Sequence, residues 1–359
     1  MKSLRSKSPF RKSKRHASAL IVILWAVTLL AFAVAIASEK IALILGDTSI
    51  QAKRFQAELL ADSALASVES ILKEEQHQRL FSKDTKKVER RYLDLTYFQG
   101  TWQSQSVEFG GGTFQVELMD ELSKINWLQT PPYVWRNLFD AAGVSSDTVN
   151  AWQDALKDWQ DANDDQSLNG AETADYQAMK ENKRRAKNTP VTDMGELFWV
   201  KGGPEIMKLQ IIVDTEGKMK PLLPMTTIYG SGQINLNTAP AVLIAAALGI
   251  SLESAEQTVR SRWGPDGKEG TEDDVFLQGV PVGTTMASST SQGNTINNTA
   301  SSSSVVTLST ALFRARGIGE FQGQRVVREA LAVRDSGSGL RLLQEPRTVE
   351  SRPIRGEHL

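Results

Sequence analysis

The chain opens polar and basic, turns apolar, and then switches between helical and strand periodicities. Residues 17–37 read ASALIVILWAVTLLAFAVAIA, an uncharged and almost wholly apolar run. As a helix it spans roughly 30 Å, the thickness of a bilayer's hydrocarbon core. Beyond it Ile41, Leu43, Ile44, Phe55, Leu59, Leu60, Ala64, Leu65, Val68, Ile71 and Leu72 continue at mostly helical spacing, interrupted only by Gly46. The pattern predicts one helix from about Ser18 to Glu75, apolar all round in its first half and amphipathic in its second. A polar stretch, 76–105, follows. Phe114, Val116 and Leu118 then alternate with polar neighbours, which reads as a half-buried strand. From 131 to 262 the pattern is helical. Residues 283–304 are a low-complexity polar run and read as a loop. Two more strands are expected, at about 305–316 and 324–334. In the second, Val327, Leu331 and Val333 share one face, and Arg328 and Arg334 the other. The polar, basic tail is expected to fray.

Seven cations precede the apolar run (Lys2, Arg5, Lys7, Arg11, Lys12, Lys14, Arg15), and no acidic residue appears before Glu39. The basic flank belongs in the cytoplasm, so the rest lies across the membrane, held by a span from Ser18 to Ala37. A cleavable secretory signal has a shorter apolar stretch, of about 7–15 residues. The organisation read from these patterns is a basic leader over 1–17, a membrane and stalk helix over 18–75, and a first part of a small sheet over 76–125. An inserted α-helical domain over 126–282, a loop over 283–304, a second part of the sheet over 305–335 and a flexible tail over 336–359 complete it. The fold class is α+β.

Charge and composition narrow the function. The formal charge of −1 conceals the cationic leader, so the remainder is clearly acidic, which disfavours nucleic acid as a partner of the body. There is no cysteine, and the three histidines, His16, His77 and His358, are scattered through leader, stalk and tail. No Ser-His-Asp, Cys-His or zinc pattern can be assembled from them, so the chain reads as a non-enzyme.

The helical block carries a weak internal repeat. Ile125-Asn126 precedes Thr130-Pro131-Pro132, a helix and Gly143-Val144-Ser145; Ile234-Asn235 precedes Thr238-Ala239-Pro240, a helix and Gly249-Ile250-Ser251. Thr as helix cap, Pro in the first turn and Gly at the C-terminus make each copy a helical hairpin. Such hairpins serve either as scaffold or as DNA-binding units, and Glu253 and Glu256 beside the second turn speak for scaffold. Trp127, Trp135, Trp152, Trp159 and Trp199 all fall in this block, as core or, for a ring or two, as partner surface.

Residues 161–172 read DANDDQSLNGAE. Asp161, Asn163, Asp165, Ser167, Asn169 and Glu172 occupy positions 1, 3, 5, 7, 9 and 12 of an EF-hand-like register and point to calcium. Gln166 stands where that motif requires glycine, and Asp158 and Asp164 can substitute as ligands in a differently folded loop. A second acidic loop offers Asp266, Asp273 and Asp274; a solvated turn explains it equally well.

Together, ALIVILW in the anchor, LADSAL at 60–65, VELMDELSKIN at 116–126, DWQDANDDQSLNGAE at 158–172, NTPVTDMGELFWVKG at 188–202 and IYGSGQINLNTAP at 228–240 resemble the type II secretion minor pseudopilin K family (general secretion pathway protein K). The resemblance implies a pilin-like body: a long N-terminal helix packed on a small antiparallel sheet, interrupted by the helical domain. It implies calcium binding, and partners among the minor pseudopilins I and J and the inner-membrane secretion platform. It also implies a place at the tip of a periplasmic pseudopilus, initiating its assembly in protein export. A prepilin peptidase would cut between Ala17 and Ser18 and methylate the new N-terminus. Mature position five is then Val22, where most pilins carry a glutamate that pairs with a neighbour's N-terminal ammonium. A leading subunit has no such neighbour, and an unpaired carboxylate in lipid costs several kcal/mol. A membrane-anchored DNA receptor of competence type, also an anchor plus helical hairpins, is the alternative; it requires a positive patch.

Overall fold

The structure, a computed structural model, describes residues 14–81, 101–180, 183–268, 275, 277, 305–310, 312–335 and 339–353. The leader before Lys14, the loop 283–304 and the C-terminus beyond Pro353 lie outside the described residues.

Helix α1 (Lys14–Phe81) is continuous for 68 residues, roughly 100 Å. From Leu20 to Ile50 its large apolar side chains are all exposed; burial begins at Ala57. From there Ala57, Ala61, Ala64, Leu65 and Val68 form one buried face, the i, i+3, i+4 stripe of an amphipathic helix.

That face lies on an antiparallel sheet. The chain passes through β1 (Thr101–Gln103), β2 (Val107–Phe109) and β3 (Gly112–Asp120), then leaves the sheet. It runs through β4 (Ile125–Asn126), α2 (Pro132–Ala141), α3 (Ser146–Gln160), α4 (Thr173–Ala178), α5 (Gly203–Met207), β5 (Gln210–Ile212), β6 (Met219–Pro221), β7 (Thr226–Thr227), β8 (Ile234–Asn235), α6 (Ala241–Leu248) and α7 (Leu252–Arg260). It returns through β9 (Val306–Thr307) to β10 (Leu312–Phe321), β11 (Gln324–Asp335), β12 (Gly339–Leu342) and β13 (Arg347–Pro353). The order in the sheet is β1-β3-β10-β11-β12, with β2 also on β3 and β13 also on β11. Since β10 pairs with β3, Phe313 opposite Asp120, the helical block is an insertion between neighbouring strands. The pilin-like α+β architecture implied by the resemblance is the one observed.

Phe114, Val116, Leu118, Phe313, Ala315 and Ala330 make the sheet's side of the helix–sheet core. Between them Gly317 and Gly319 bring the backbone of β10 against α1. A Cβ at Gly317 would lie 2.0 Å from the Ala61 carbonyl oxygen, and one at Gly319 equally close to that of Ala57. The insertion has its own, larger core, around a Trp127–Trp135 stack at 4.0 Å with Trp152 and Phe139 against it. Trp159 is buried too, whereas Trp199 is 58% exposed.

Val327, Leu331 and Val333 share one face of β11 and Arg328 lies on the other, as the alternation predicts; the Arg328 face is the one toward α1, where Arg328 binds Glu58 at 3.0 Å and Asp62 at 2.9 Å. Three expectations are corrected. The strand expected at 305–316 is divided. Val306–Thr307 pairs in parallel with β8, and the sheet strand begins only at Leu312. The tail placed at 336–359 supplies β12 and β13, which cover the outer edge of the 12-residue β11; its arginines find partners there, Arg347 with Glu329 among them. Finally, neither Thr130 nor Thr238 caps a helix. Pro131 and Pro240 hold the N-cap positions, and the threonines serve the contacts between repeats. The second helices are capped as serine allows, Ser145 accepting from Thr148 N–H and Ser251 from Ser254 N–H.

Candidate functional site

Two groups of polar residues do chemistry that packing alone does not require. The first joins the insertion to the sheet. At the end of β3, Asp120 and Glu121 are both fully buried. The Asp120 carboxylate accepts from the hydroxyls of Thr238 and Thr310, from the Asn235 side-chain amide at 2.8 Å and from Leu122 N–H at 2.8 Å. It thereby ties the departing strand, the returning strand and the second hairpin together. Burial pushes its carboxyl pKa up, against those four hydrogen bonds.

Glu121 has a different environment. Arg314 of β10 clamps it with two hydrogen bonds, Nη2 at 2.6 Å and Nε at 3.0 Å; Lys124 and the Thr227 hydroxyl complete the shell at 3.0 and 2.6 Å. Burial alone would raise this carboxyl, but the Arg314 fork and Lys124 overcome it and hold the pKa at about 2. Arg314 reaches Glu329 as well, at 2.6 Å, and Glu329 also receives Arg316 at 2.9 Å.

The hairpin repeats use their asparagines as reciprocal brackets. Asn126 donates to the carbonyls of Tyr229 and Gly230, just ahead of the second copy. Asn235 donates to Asp120, just ahead of the first. Helices α2 and α6 meet, with Asn137 donating to Ala246 O at 3.0 Å.

The second group is the acidic loop after α3. Asp161 is the C-terminal cap of α3, and Glu172 the N-terminal cap of α4. Asp158 is buried and accepts from Ser167 N–H through both oxygens, at 3.2 and 3.0 Å. Its carboxylate lies over Gly170, where a Cβ would sit 1.9 Å from Oδ2. Of the six residues in the EF-hand-like register, four are turned to other partners or to solvent. Asn163 Oδ1 accepts from Asp165 N–H, Asp165 is exposed, the Ser167 carbonyl (the group that position offers) accepts from Gly170 N–H at 3.0 Å, and Asn169 donates to Asp154.

Asp161 and Glu172 remain. Buried Oδ1 of Asp161 and both buried oxygens of Glu172 lack a hydrogen-bond partner, as does buried Oδ1 of Asn188. Burial, and then the nearby charges of Asp158, Asp161 and Asp164, raise the Glu172 pKa. Asn188 is brought in by a left-handed backbone (φ 51°), with its N–H donating to Trp159 O at 3.0 Å and its side-chain amide reaching Asp164 at 3.4 Å. Four orphaned oxygens and a carboxylate crowded by like charges suit a hard cation, whose oxygen ligands they would become. Among the described residues no three Asp, Glu, His or Cys side chains form a ready cage, so amide and carbonyl oxygens are needed to complete one. Asn188 escaped the sequence reading because the register looks only within 12 residues; its sole signal was a place in the motif beginning at 188.

Of the second acidic loop, Asp266 accepts from Lys268 N–H in a turn at 2.7 Å, while Asp273 and Asp274 lie outside the described residues. Ala17 and Ser18 fall in the first turns of α1. Among the described residues that helix is the one long and apolar enough to cross a membrane, with a mean hydropathy of 2.9 in its apolar window.

An anchor-length helix, a sheet laid against its distal half and a helical insertion tied at one buried knot define a pilin-like, helix-on-sheet protein. Residues 121–209, which include both Glu121 and the acidic loop, match the family described as type II secretion system (T2SS), protein K. A search of curated proteins returned no match. Among solved structures the chain is similar to one in the GspK-GspI-GspJ complex from the enterotoxigenic Escherichia coli type 2 secretion system. Sequence identity is 17%, over 87% of this chain and 99% of that one, with a TM-score of 0.49.

Proposed function

We propose that this chain is a non-enzymatic minor pseudopilin of a type II secretion system. It would be anchored once in the inner membrane with its body in the periplasm, and would cap a pseudopilus with partners of types I and J. The observation that carries this reading is a segment matching the protein K family within an insertion between neighbouring strands of a sheet that rests on a membrane-length helix. Val22 and the bulk of the insertion favour an end position over a repeating one. The hairpins act as scaffold: their second helices are closed by their own serine caps and carry Asp147 and Glu253 in the first turn, which a phosphate would meet unfavourably. Affinity purification from membranes should bring down other pseudopilins. A tag on the insertion should label one end of the filament in electron micrographs, and label along the shaft would exclude the cap.

Processing tests the leader. Coexpression with a prepilin peptidase and N-terminal sequencing should show Ser18 first. An intact Met1, or a cut near Ala37, would refute a pilin-type anchor.

Calcium would be held by Asp161, Glu172 and Asn188, with Asp158 and Asp164 contributing charge. The ion would relieve repulsion among the carboxylates and staple the end of α3 to the segment around Asn188. At a hundredfold excess over Kd it stabilises the fold by roughly 2.7 kcal/mol. Millimolar calcium should raise the melting temperature, magnesium less, and Glu172→Ala or Asn188→Ala should remove most of the rise. Identical curves in calcium and in chelator would leave only a solvated loop. Trp159, 5.2 Å from Tyr176 beside the site, provides a fluorescence readout.

A further inference from the structure

The chain contains one Asn-Gly pair, Asn169-Gly170, in the acidic loop. Glycine has no side chain to shield its own backbone nitrogen, so that nitrogen reaches a preceding asparagine carboxamide more readily than one beside a Cβ. The loop cannot give the glycine up. Gly170 lies across α3, where a Cβ would meet both the Asp158 carboxylate and the Asp154 carbonyl oxygen. Its peptide is held on both sides. The N–H donates to Ser167 O at 3.0 Å, and the carbonyl accepts from Gln166 Nε2 and Lys201 Nζ, each at 3.0 Å. Asn169 itself is exposed to water. Its side chain is fixed by Asp154 of α3, whose Oδ2 accepts from Asn169 N–H at 3.1 Å and from Asn169 Nδ2 at 3.2 Å. One oxygen bound to both nitrogens holds the carboxamide on the side of its own N–H, while the Gly170 N–H is engaged by Ser167 O.

We propose that Asn169-Gly170 is a self-modification site that converts spontaneously to isoaspartate, and that Asp154 is the positioning residue that restrains it. The Gly170 nitrogen attacks Asn169 Cγ, and its proton passes through water to Nδ2. The Cγ–Nδ2 bond breaks, ammonia leaves, and a five-membered succinimide remains. Water then opens the ring at one carbonyl or the other, which gives isoaspartate or aspartate; no oxidant, reductant or cofactor enters. Attack requires the nitrogen and Cγ to meet at about 3–3.5 Å in the right orientation. The Asp154 fork and the Ser167 hydrogen bond both oppose that approach, and the fork is charge-assisted on both arms. The product undoes the restraint. A carboxylate at position 169 replaces the donor Nδ2 and faces Asp154 as a like charge. Isoaspartate also adds a methylene to the backbone just where Gly170 fits under Asp158, so the turn from Ser167 to Gly170 no longer closes. The change therefore runs one way and loosens the loop between α3 and α4.

The test incubates the full chain in detergent micelles, with chelator, in mildly alkaline buffer made with heavy-oxygen water, and follows Asn169 by peptide mapping. Ring opening should leave one heavy oxygen in the peptide that carries residue 169, and fragmentation should place isoaspartate there. The unfolded chain in denaturant sets the unrestrained rate, which Asp154→Ala should approach and the wild type should not. In the folded chain Asp154→Ala should speed conversion about tenfold, equivalent to about 1.4 kcal/mol and within reach of hydrogen bonds to a charged group. Asp154→Asn, which keeps the shape and an acceptor oxygen without the charge, should fall between the two with an unchanged melting temperature. The acceleration should be confined to Asn169, with Asn137 and Asn237 as internal controls, because a variant that merely unfolded would speed all three. Equal rates in the wild type and both variants, the same acceleration at Asn137 and Asn237, a folded wild type as fast as the unfolded chain, or no label at residue 169 would each overturn the inference.

Discussion

Replacing Glu121 with alanine should destabilise the protein by about 3–5 kcal/mol, the loss typical when one partner of a buried ion pair is removed. Arg314 would remain buried at the junction with half its charge compensation gone. The double variant Glu121→Leu/Arg314→Leu should lose less than the sum of the two single changes, because the two buried charges that depend most on each other are then removed together, although Lys124 and Glu329 each give up one partner. Denaturant melts of the four proteins supply the cycle; additive losses would show that the pair is not coupled. The same group predicts a pH dependence. Its folded pKa of about 2 lies below the ordinary 4.5, so its contribution is complete above pH 4.5 and is lost as the pH falls from there toward 2. A shift of that size corresponds to about 3 kcal/mol. Glu329, also lowered, acts in the same direction. Asp120, raised by burial, acts in the opposite one: its contribution is full below the ordinary aspartate pKa of 3.8 and declines as the pH rises through its folded value. Acid should therefore loosen the Arg314 clamp while sparing the Asp120 knot, and Glu121→Gln should flatten the acid limb of the stability profile.

The other large effect belongs to a single methyl group. Gly317→Ala places a Cβ 2.0 Å from a backbone oxygen of α1, and neither strand nor helix can yield without disturbing the core between them. A loss of about 3 kcal/mol is expected, with a melting temperature lower by roughly 6–12 °C. Gly46→Ala is the matching control. Nothing lies within 4 Å of that position, and the change should stabilise the helix by up to about 1 kcal/mol. If Gly317→Ala melts like the wild type, α1 does not sit on the sheet as described.

Elements defined by local periodicity were legible in the sequence for a physical reason. The long helix needs only an apolar run without proline. The strand at Phe114–Leu118 needs only alternation. The hairpins need only Gly143 and Gly249 in left-handed turns and a serine after each. The acidic loop was visible as a concentration of oxygen-bearing side chains, because its charges are close in the chain. Nothing local distinguishes which of those oxygens are buried together. Three of the six register positions spend hydrogen bonds elsewhere, Asp165 faces solvent, and Asn188 arrives from outside the loop.

The sequence by itself determined the long apolar helix, its basic flank, the two hairpins and the presence of strands on both sides of a helical insertion, since each depends on residues within a few turns of one another. Only the tertiary structure decided the direction of β11's faces, the order in the tail, and the junction. Asp120 meets Thr310 across 190 residues, and Glu121 meets Arg314 across 193. At such separations a carboxylate in the chain looks the same whether water or a buried guanidinium awaits it. The packing of α1 on Gly317 and Gly319 sets that choice, because it brings β10 and β3 together and carries their ends into the knot.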